Sequence, residues 1–235
     1  MEVTYNCWHG CHKKSEGCMH CYVYRRDESI GRDAGIVYQT QSFRMPVARK
    51  RNGDYKYPSG TEFMMCFSSD FFIEEADEWR KEVLSFIKER NDCSFMCITK
   101  RPERIRECIE NLGTYDNLYI YCTMENQKRF DERCPIYLDL DLKQKGVMIE
   151  PMLERIDMSK YIDRIDLVTV GGESGIDARV LDFEWVKDIR MQCKKAHVRF
   201  YFHQTGARII VNGRLYNIPR HMQHIQARKA FKDQY

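Results

Sequence analysis

The chain has 235 residues, enough for one barrel-like or doubly wound domain with a core that needs no staple to fold. Its composition, 43% hydrophobic and 31% charged, is that of a globular protein and excludes long disorder. A net charge of +3 is too mild to imply a nucleic-acid partner by itself. No apolar run reaches the roughly 20 residues of a membrane span. The cysteine-rich segment that follows Tyr5 at once is unlike a secretory leader, so the expectation is a cytoplasmic protein without membrane attachment.

Short apolar runs, each ending in a compact polar signature, recur along the chain. They are VTYN before the cysteines, EFMMCF ending in SSD, SFMCI ending in TKRP, and LYIYCT ending in MENQ. GVMI ending in EPML, DLVTV ending in GGESG, and RFYF ending in HQTG follow. Continuous runs of this length suit strands covered on both faces, as in a parallel sheet. Between them, Trp79, Val83, Phe86 and Ile87 share one helical face. Pro102 opens a predicted helix carrying Ile105, Ile109 and Leu112 that stops at Gly113. Asp182 caps another that presents Trp185, Val186, Ile189 and Cys193. About seven β/α repeats predict an α/β fold: a single parallel (β/α) domain, a partial or complete TIM-like barrel.

Residues 25–62 break the pattern. They are polar and rich in Arg, Lys and Tyr, and a stretch of this length is either a functional lid or an element with a weak signature. Its cations, interleaved with Tyr38, Phe43, Tyr55 and Tyr57, suit either a solvated loop or a nucleic-acid contact by charge and stacking. The basic terminal stretch IPRHMQHIQARKAFKDQY carries the same alternatives.

The segment from 7 to 22, within NCWHGCHKKSEGCMHCY, concentrates soft ligands. Cys11, Cys18 and Cys21 stand in C-x6-C-x2-C spacing, close enough on one loop for three thiolates to face one centre. Three thiolates on a four-iron four-sulfur cluster leave one iron open to a substrate or cofactor. A structural zinc would instead close with a fourth ligand, for which Cys7, His9, His12 and His20 all qualify. The remaining cysteines, Cys66, Cys93, Cys97, Cys108, Cys122, Cys134 and Cys193, sit among apolar neighbours and read as buried reduced thiols. Catalytic groups in β/α folds gather where strands end. The polar signatures there supply Asp70, Glu125, Glu150, Glu173, Lys100, Arg101, Asn126, Gln127, Gln204 and His203, which together predict an active site.

These strings, with FSSDFFIEEADEW, ITKRPERI, TMENQKRFDER, EPMLERID and VGGESGIDARVLDFEWVKDIRMQC, resemble a phage-associated three-cysteine-motif family of unknown function, along nearly the whole chain. The resemblance implies a partial TIM barrel distantly similar to radical S-adenosylmethionine (SAM) enzymes. It implies a [4Fe-4S] cluster held by Cys11, Cys18 and Cys21, with Cys7 outside the ligand set. The chain departs from the usual C-x3-C-x2-C spacing of that superfamily, and its Gly-Gly-Glu element follows the sixth strand, not the second. On the resemblance, the cluster would cleave SAM reductively and start radical chemistry, on a nucleic acid or nucleotide for instance, with electrons from a reductant protein. Gly171, Gly172, Glu173 and Ser174, with Glu150 and Asn126, would contact the cofactor. Lys100, Glu125 and His203 are the candidate catalytic groups, Lys100 and Arg101 suiting a carboxylate or phosphate. His203 would donate a proton or close a core hydrogen bond. The alternatives are a zinc-stabilised nucleic-acid-binding or nucleic-acid-processing protein and a non-catalytic iron–sulfur protein.

Overall fold

The computed structural model describes residues 1–231. The chain's contacts fall into two compact units, the first formed by Met1–Lys13, Arg26–Tyr121 and Leu140–Lys143, the second by Lys14–Arg25, Cys122–Asp139 and the chain from Gln144 onward. All seven runs expected to be strands are strands, and they join one seven-stranded sheet in the order β1 (Glu2–Tyr5), β4 (Glu62–Met65), β5 (Ser94–Thr99), β6 (Leu118–Thr123), β7 (Gly146–Ile149), β8 (Leu167–Gly171), β10 (Arg199–Gln204). Neighbours in that order follow one another in the chain, with short two-residue strands set apart: β2 (Trp8–His9) and β3 (Tyr38–Gln39) pair with each other, and β9 (Leu181–Asp182) belongs to a third sheet. This sequential order with parallel pairing is consistent with a partial (β/α) barrel.

In the first unit the apolar faces of β1, β4 and β5 meet ring on ring. Phe63 stacks on Phe95 with centroids 5.0 Å apart, and Tyr5 meets Phe63 edge-on. Helix α1 (Tyr22–Ser29) follows the cysteine segment, and α2 (Asp77–Glu89) buries Val83, Phe86 and Ile87 on its predicted face. The helix expected from Pro102 to Leu112 is shorter than the spacing suggested. Helix α3 (Pro102–Cys108) ends where Ile109 turns extended, and Asn111 takes a left-handed φ of 51°, a conformation asparagine tolerates better than most residues. Ile109 stays buried, so its apolar spacing is satisfied by a broken backbone.

The stretch from 25 to 62 is ordered by its neighbours. Arg90, fully buried at the end of α2, donates to the carbonyls of Pro46 (2.6 Å) and Tyr57 (2.9 Å), to Asp92 (2.8 Å) and to the Cys93 sulfur (2.8 Å). Its guanidinium and that of Arg49 lie 4.1 and 4.0 Å from the Tyr55 ring centroid. A guanidinium with so many acceptors can be buried because each donor is satisfied.

In the second unit β7 is buried at all four positions, as its continuous apolar run requires. Helix α4 (Gln127–Leu138) is capped by Asn126, whose Oδ1 accepts from the Arg129 amide at 2.8 Å. Helix α5 (Phe183–Lys195) is capped as expected, Asp182 accepting from the Glu184 amide at 2.9 Å, and buries Val186, Ile189 and Cys193. A small sheet unforeseen from the sequence runs β12 (Arg214–Asn217), β11 (Arg208–Val211), β9. Its hairpin turns at Asn212-Gly213, both with positive φ, a dipeptide that is a strong local hairpin signal. The basic terminal stretch forms helix α6 (Arg220–Ala230), and Phe231 beyond it stacks on Phe183 at 5.5 Å; Lys232–Tyr235 of that stretch lie outside the described residues.

Replacing Arg90 with alanine strands the carbonyls of Pro46 and Tyr57 and removes one face of the Tyr55 sandwich. The expected loss is about 3 kcal/mol, within the range for breaking a buried charged network. It should be read by urea unfolding, with faster tryptic cleavage at Arg49, Lys50 and Arg51 as the local signature.

Candidate functional site at the strand ends

The cysteine loop is almost entirely polar between Gly10 and Cys21, so it cannot be held by burying apolar area. Charged groups at the ends of the strands hold it. In the first unit, Arg101 after β5 donates to the His12 carbonyl (3.0 Å) and lies 4.0 Å from the Cys11 sulfur. Arg101 is aimed by Asp70, 2.9 Å away, which also accepts from the Thr99 hydroxyl (2.7 Å) and the Lys100 amide (3.0 Å). Burial weighs against the Arg101 charge, and the carboxylate of Asp70 and the Cys11 sulfur outweigh it, raising its pKa.

In the second unit, Glu125 after β6 is fully buried. It accepts from the Ser15 hydroxyl, from the Gly17 amide at 3.1 Å and from Arg133 at 2.8 Å. A Cβ on Gly17 would stand 3.0 Å from this carboxylate, so glycine lets the loop approach. Glu16 forms two hydrogen bonds of 2.9 Å with Arg129, which pull its carboxyl down to a pKa of about 2. Arg179 donates to the Glu16 carbonyl at 3.0 Å while paired to Glu173 at 2.5 Å. The arginines Arg129, Arg133 and Arg179 were not singled out from the sequence. The available signal was the i, i+4 spacing of Arg129 and Arg133 on one face of the helix after MENQ.

The structure gives several of the predicted residues partners within the protein. Glu125, a candidate catalytic group, has its oxygens taken up by the loop and by Arg133. Glu173 receives the Arg179 side chain on both oxygens and the Arg179 amide at 2.9 Å, leaving Arg179 where a cofactor ammonium was expected. Each glycine of GGESG is accounted for within the protein. A Cβ on Gly171 would stand 2.5 Å from the Glu150 carboxylate, one on Gly172 would strike the Thr205 carbonyl, and one on Gly175, whose φ is +112°, would overlap the Arg25 guanidinium. Glu150 accepts from His203 Nδ1 at 2.8 Å and from the Gln204 amide, and the Asn126 side chain serves as a helix cap. Ser174 is half-buried at the loop tip. Lys100 lends its backbone amide to Asp70, and its ammonium forms no ion pair among the described residues.

The cysteines separate by environment. None forms a disulfide; seven are buried, and Cys11, Cys18, Cys21 and Cys108 are half-buried. Burial raises the thiols of Cys66, Cys93, Cys97 and Cys108, and raises those of Cys134 and Cys193 to about 12. Of the four candidates for a fourth zinc ligand, Cys7 lies 3.1 Å from Cys66, sulfur to sulfur, His9 is buried against Asp27 at 2.5 Å, and His12 pairs with Glu75. The Cys18 sulfur accepts from the Lys14 amide at 3.5 Å. Among the described residues no three Cys, His, Asp or Glu side chains gather around one point.

The aromatic residues of 25–62, for which a solvated loop and nucleic-acid stacking were the alternatives, pack within the protein. Phe43 is buried against Phe86, Tyr57 lies edge-on to Phe63, Tyr38 meets His9, and Tyr55 is sandwiched by arginines. A cavity of about 600 Å³ beside them is lined by Arg44, Arg49, Lys56, Tyr57 and Glu89, with Arg44 paired to Glu82 and Arg49 to Glu89.

Sheet order, helices and strand-end loops place the protein among α/β proteins of partial (β/α)-barrel type. Over residues 1–231 the chain matches the family described as "Protein of unknown function (DUF5131)", and it belongs to that family. No curated protein and no solved structure matches it. No helix among the described residues is long and apolar enough to cross a membrane.

Burial raises the Glu173 carboxyl, and the hydrogen bonds and charge of Arg179 outweigh it, leaving a pKa below the usual carboxylate value. A group whose pKa is depressed by folding stabilises the protein above its unfolded pKa, and that contribution is lost as pH falls through the folded value. Wild-type stability should therefore decline below roughly pH 4.5, the ordinary glutamate range. Glu173→Gln should be less stable at pH 7 and should lose less on acidification. Thermal unfolding of both proteins between pH 3 and 7 checks this.

Proposed function

We propose that the protein is a radical SAM-like iron–sulfur enzyme whose cluster is held by Cys11, Cys18 and Cys21. The observation that carries this reading is the state of the surrounding ligands. Cys7, His9 and His12 are each engaged elsewhere, so the loop offers three thiols and, of the four candidates for a closing ligand, only His20 without such an engagement. Three thiolates suit a four-iron cluster with an open iron; a closed tetrahedral zinc would need His20 as its fourth ligand. When bound, such a cluster supplies the electron for reductive cleavage of SAM.

The chain's own residues have definite tasks in this reading. Glu125 and Arg133 fix Ser15 and Gly17, one turn before Cys18, and Arg129 and Arg179 fix Glu16 between them. Arg101 places positive charge 4.0 Å from the Cys11 sulfur. Such outer groups orient ligands and tune a metal centre. A nucleic acid or nucleotide substrate and an electron-donor protein complete the proposal. The cavity lined by Arg44, Arg49 and Lys56 is the surface whose charge suits a phosphate.

The test is iron and sulfide content with EPR on protein purified without oxygen, before and after addition of SAM. The expected result is about four irons per chain and a reduced-state signal that SAM perturbs. Cys18→Ala should lose the iron and keep the circular dichroism of the wild type. One zinc and no iron in the wild type would overturn the reading.

A further inference from the structure

Away from the cysteine loop, two imidazoles are arranged as a pair of metal ligands. His203 lies at the end of β10, where the pairing with β8 slips between Phe202 and Gln204. Such a bulge re-aims the side chain it contains. Its Nδ1 is 2.8 Å from Glu150 Oε2, and Glu150 is itself fixed by the Gln204 side-chain amide. The missing Cβ of Gly171 makes the space that this carboxylate occupies. His224, in the second turn of α6, has its Nδ1 3.0 Å from the His203 carbonyl oxygen, and the two rings lie with centroids 4.6 Å apart.

The acceptors decide the tautomers. A carbonyl oxygen only accepts, so His224 donates from Nδ1; an ionised carboxylate only accepts, so His203 does the same. Each neutral ring then carries its lone pair on Nε2, and no hydrogen bond to either Nε2 is found among the described residues. An imidazole whose other nitrogen donates to a carboxylate or a backbone carbonyl is the arrangement of metal-ligating histidines, with the partner fixing ring orientation and raising basicity. Two nitrogens on one zinc stand within about 4.2 Å of each other, twice the Zn–N bond of about 2.1 Å. The ring centroids, 4.6 Å apart, bring both imidazoles within reach of one ion. Both rings reach solvent, with His203 half-exposed and His224 exposed, so a hydrated ion can arrive and keep its remaining waters.

We propose that His203 and His224 form a two-histidine site for a divalent transition cation of the zinc class, with Glu150 as its positioning residue and water completing the coordination. Imidazole pairs select zinc, nickel or copper over magnesium and calcium. The site is independent of the cysteine loop and of the function proposed for it.

The experiment titrates Zn²⁺ into protein whose loop cysteines are alkylated, with the histidine ring nitrogens followed residue by residue by 15N NMR. The expected result is a joint Nε2 shift of His203 and His224 at one added equivalent. His224→Ala should abolish the shift at His203, and Glu150→Gln should weaken binding about tenfold. His221→Ala should leave it unchanged. Unmoved His203 and His224 signals at millimolar Zn²⁺ would overturn the proposal, as would a His203 shift that survives loss of His224. Amide spectra of each variant confirm that the fold is intact, and since the thiols are blocked, neither result bears on the iron–sulfur reading.

Discussion

A loop that cannot bury itself must be held by something else, and much of the strand-end chemistry follows from that constraint. GCHKKSEGCMHC has Met19 as its one large apolar side chain outside the cysteines, and Met19 is exposed. The loop's conformation therefore rests on charge-assisted hydrogen bonds, which are stronger and more directional than neutral ones. In the first unit Asp70 aims Arg101 at the His12 carbonyl; in the second, Arg133 backs Glu125 as it takes Ser15 and Gly17. Glu125 and Arg133 are buried, as are Asp70 and Arg101, and buried charges persist only when paired. Removing one partner costs more than a lost contact because the other is left uncompensated. In this structure Asp70 and Glu125 spend their oxygens on the arginines and backbone groups that hold the loop.

The glycine-rich element makes the same point from the backbone. A Gly-Gly-Glu-Ser-Gly string invites a cofactor because glycine lets a ligand approach the main chain. Here the approaching groups are the protein's own: the Glu150 carboxylate at Gly171, the Thr205 carbonyl at Gly172 and the Arg25 guanidinium at Gly175. Close approach is a property of the backbone and does not say what approaches. Arg25 lies four residues beyond Cys21, so Gly175 contributes to seating the helix that follows the cysteine loop.

The seven sheet strands were legible as short continuous apolar runs; β7 and β8 are buried at nearly every position, while the other five alternate buried with more exposed positions. The cap of α5 was equally legible, since Asp182 acts on the amide two residues away. What escaped depends on partners distant in the chain. Arg179 reaches Glu16 across 163 positions and Ser15 reaches Glu125 across 110, and no local window contains such a pair. Residues 25–62 looked unstructured because their order comes from Arg90, outside the segment. The Asn212-Gly213 hairpin is the exception: its signal was local and present, and the pattern of parallel runs drew attention away from it.

The eleven cysteines of the chain differ in how readily each could serve as a ligand. Burial sets the difference through the energetics of the thiol. Only a thiolate ligates, and moving a thiol into apolar surroundings disfavours its charged form. Cys66, Cys97, Cys134 and Cys193 are raised in this way, the last two to about 12, so at neutral pH they stay protonated and offer a metal little. Cys93 and Cys108 are raised despite the arginines beside them. The loop thiols are half-buried, and two of them have N–H groups nearby: Arg101 at Cys11 and the Lys14 amide at Cys18. Burial in helices, strands and turns alike thus sets Cys66, Cys97, Cys134 and Cys193 apart from the half-buried loop cysteines.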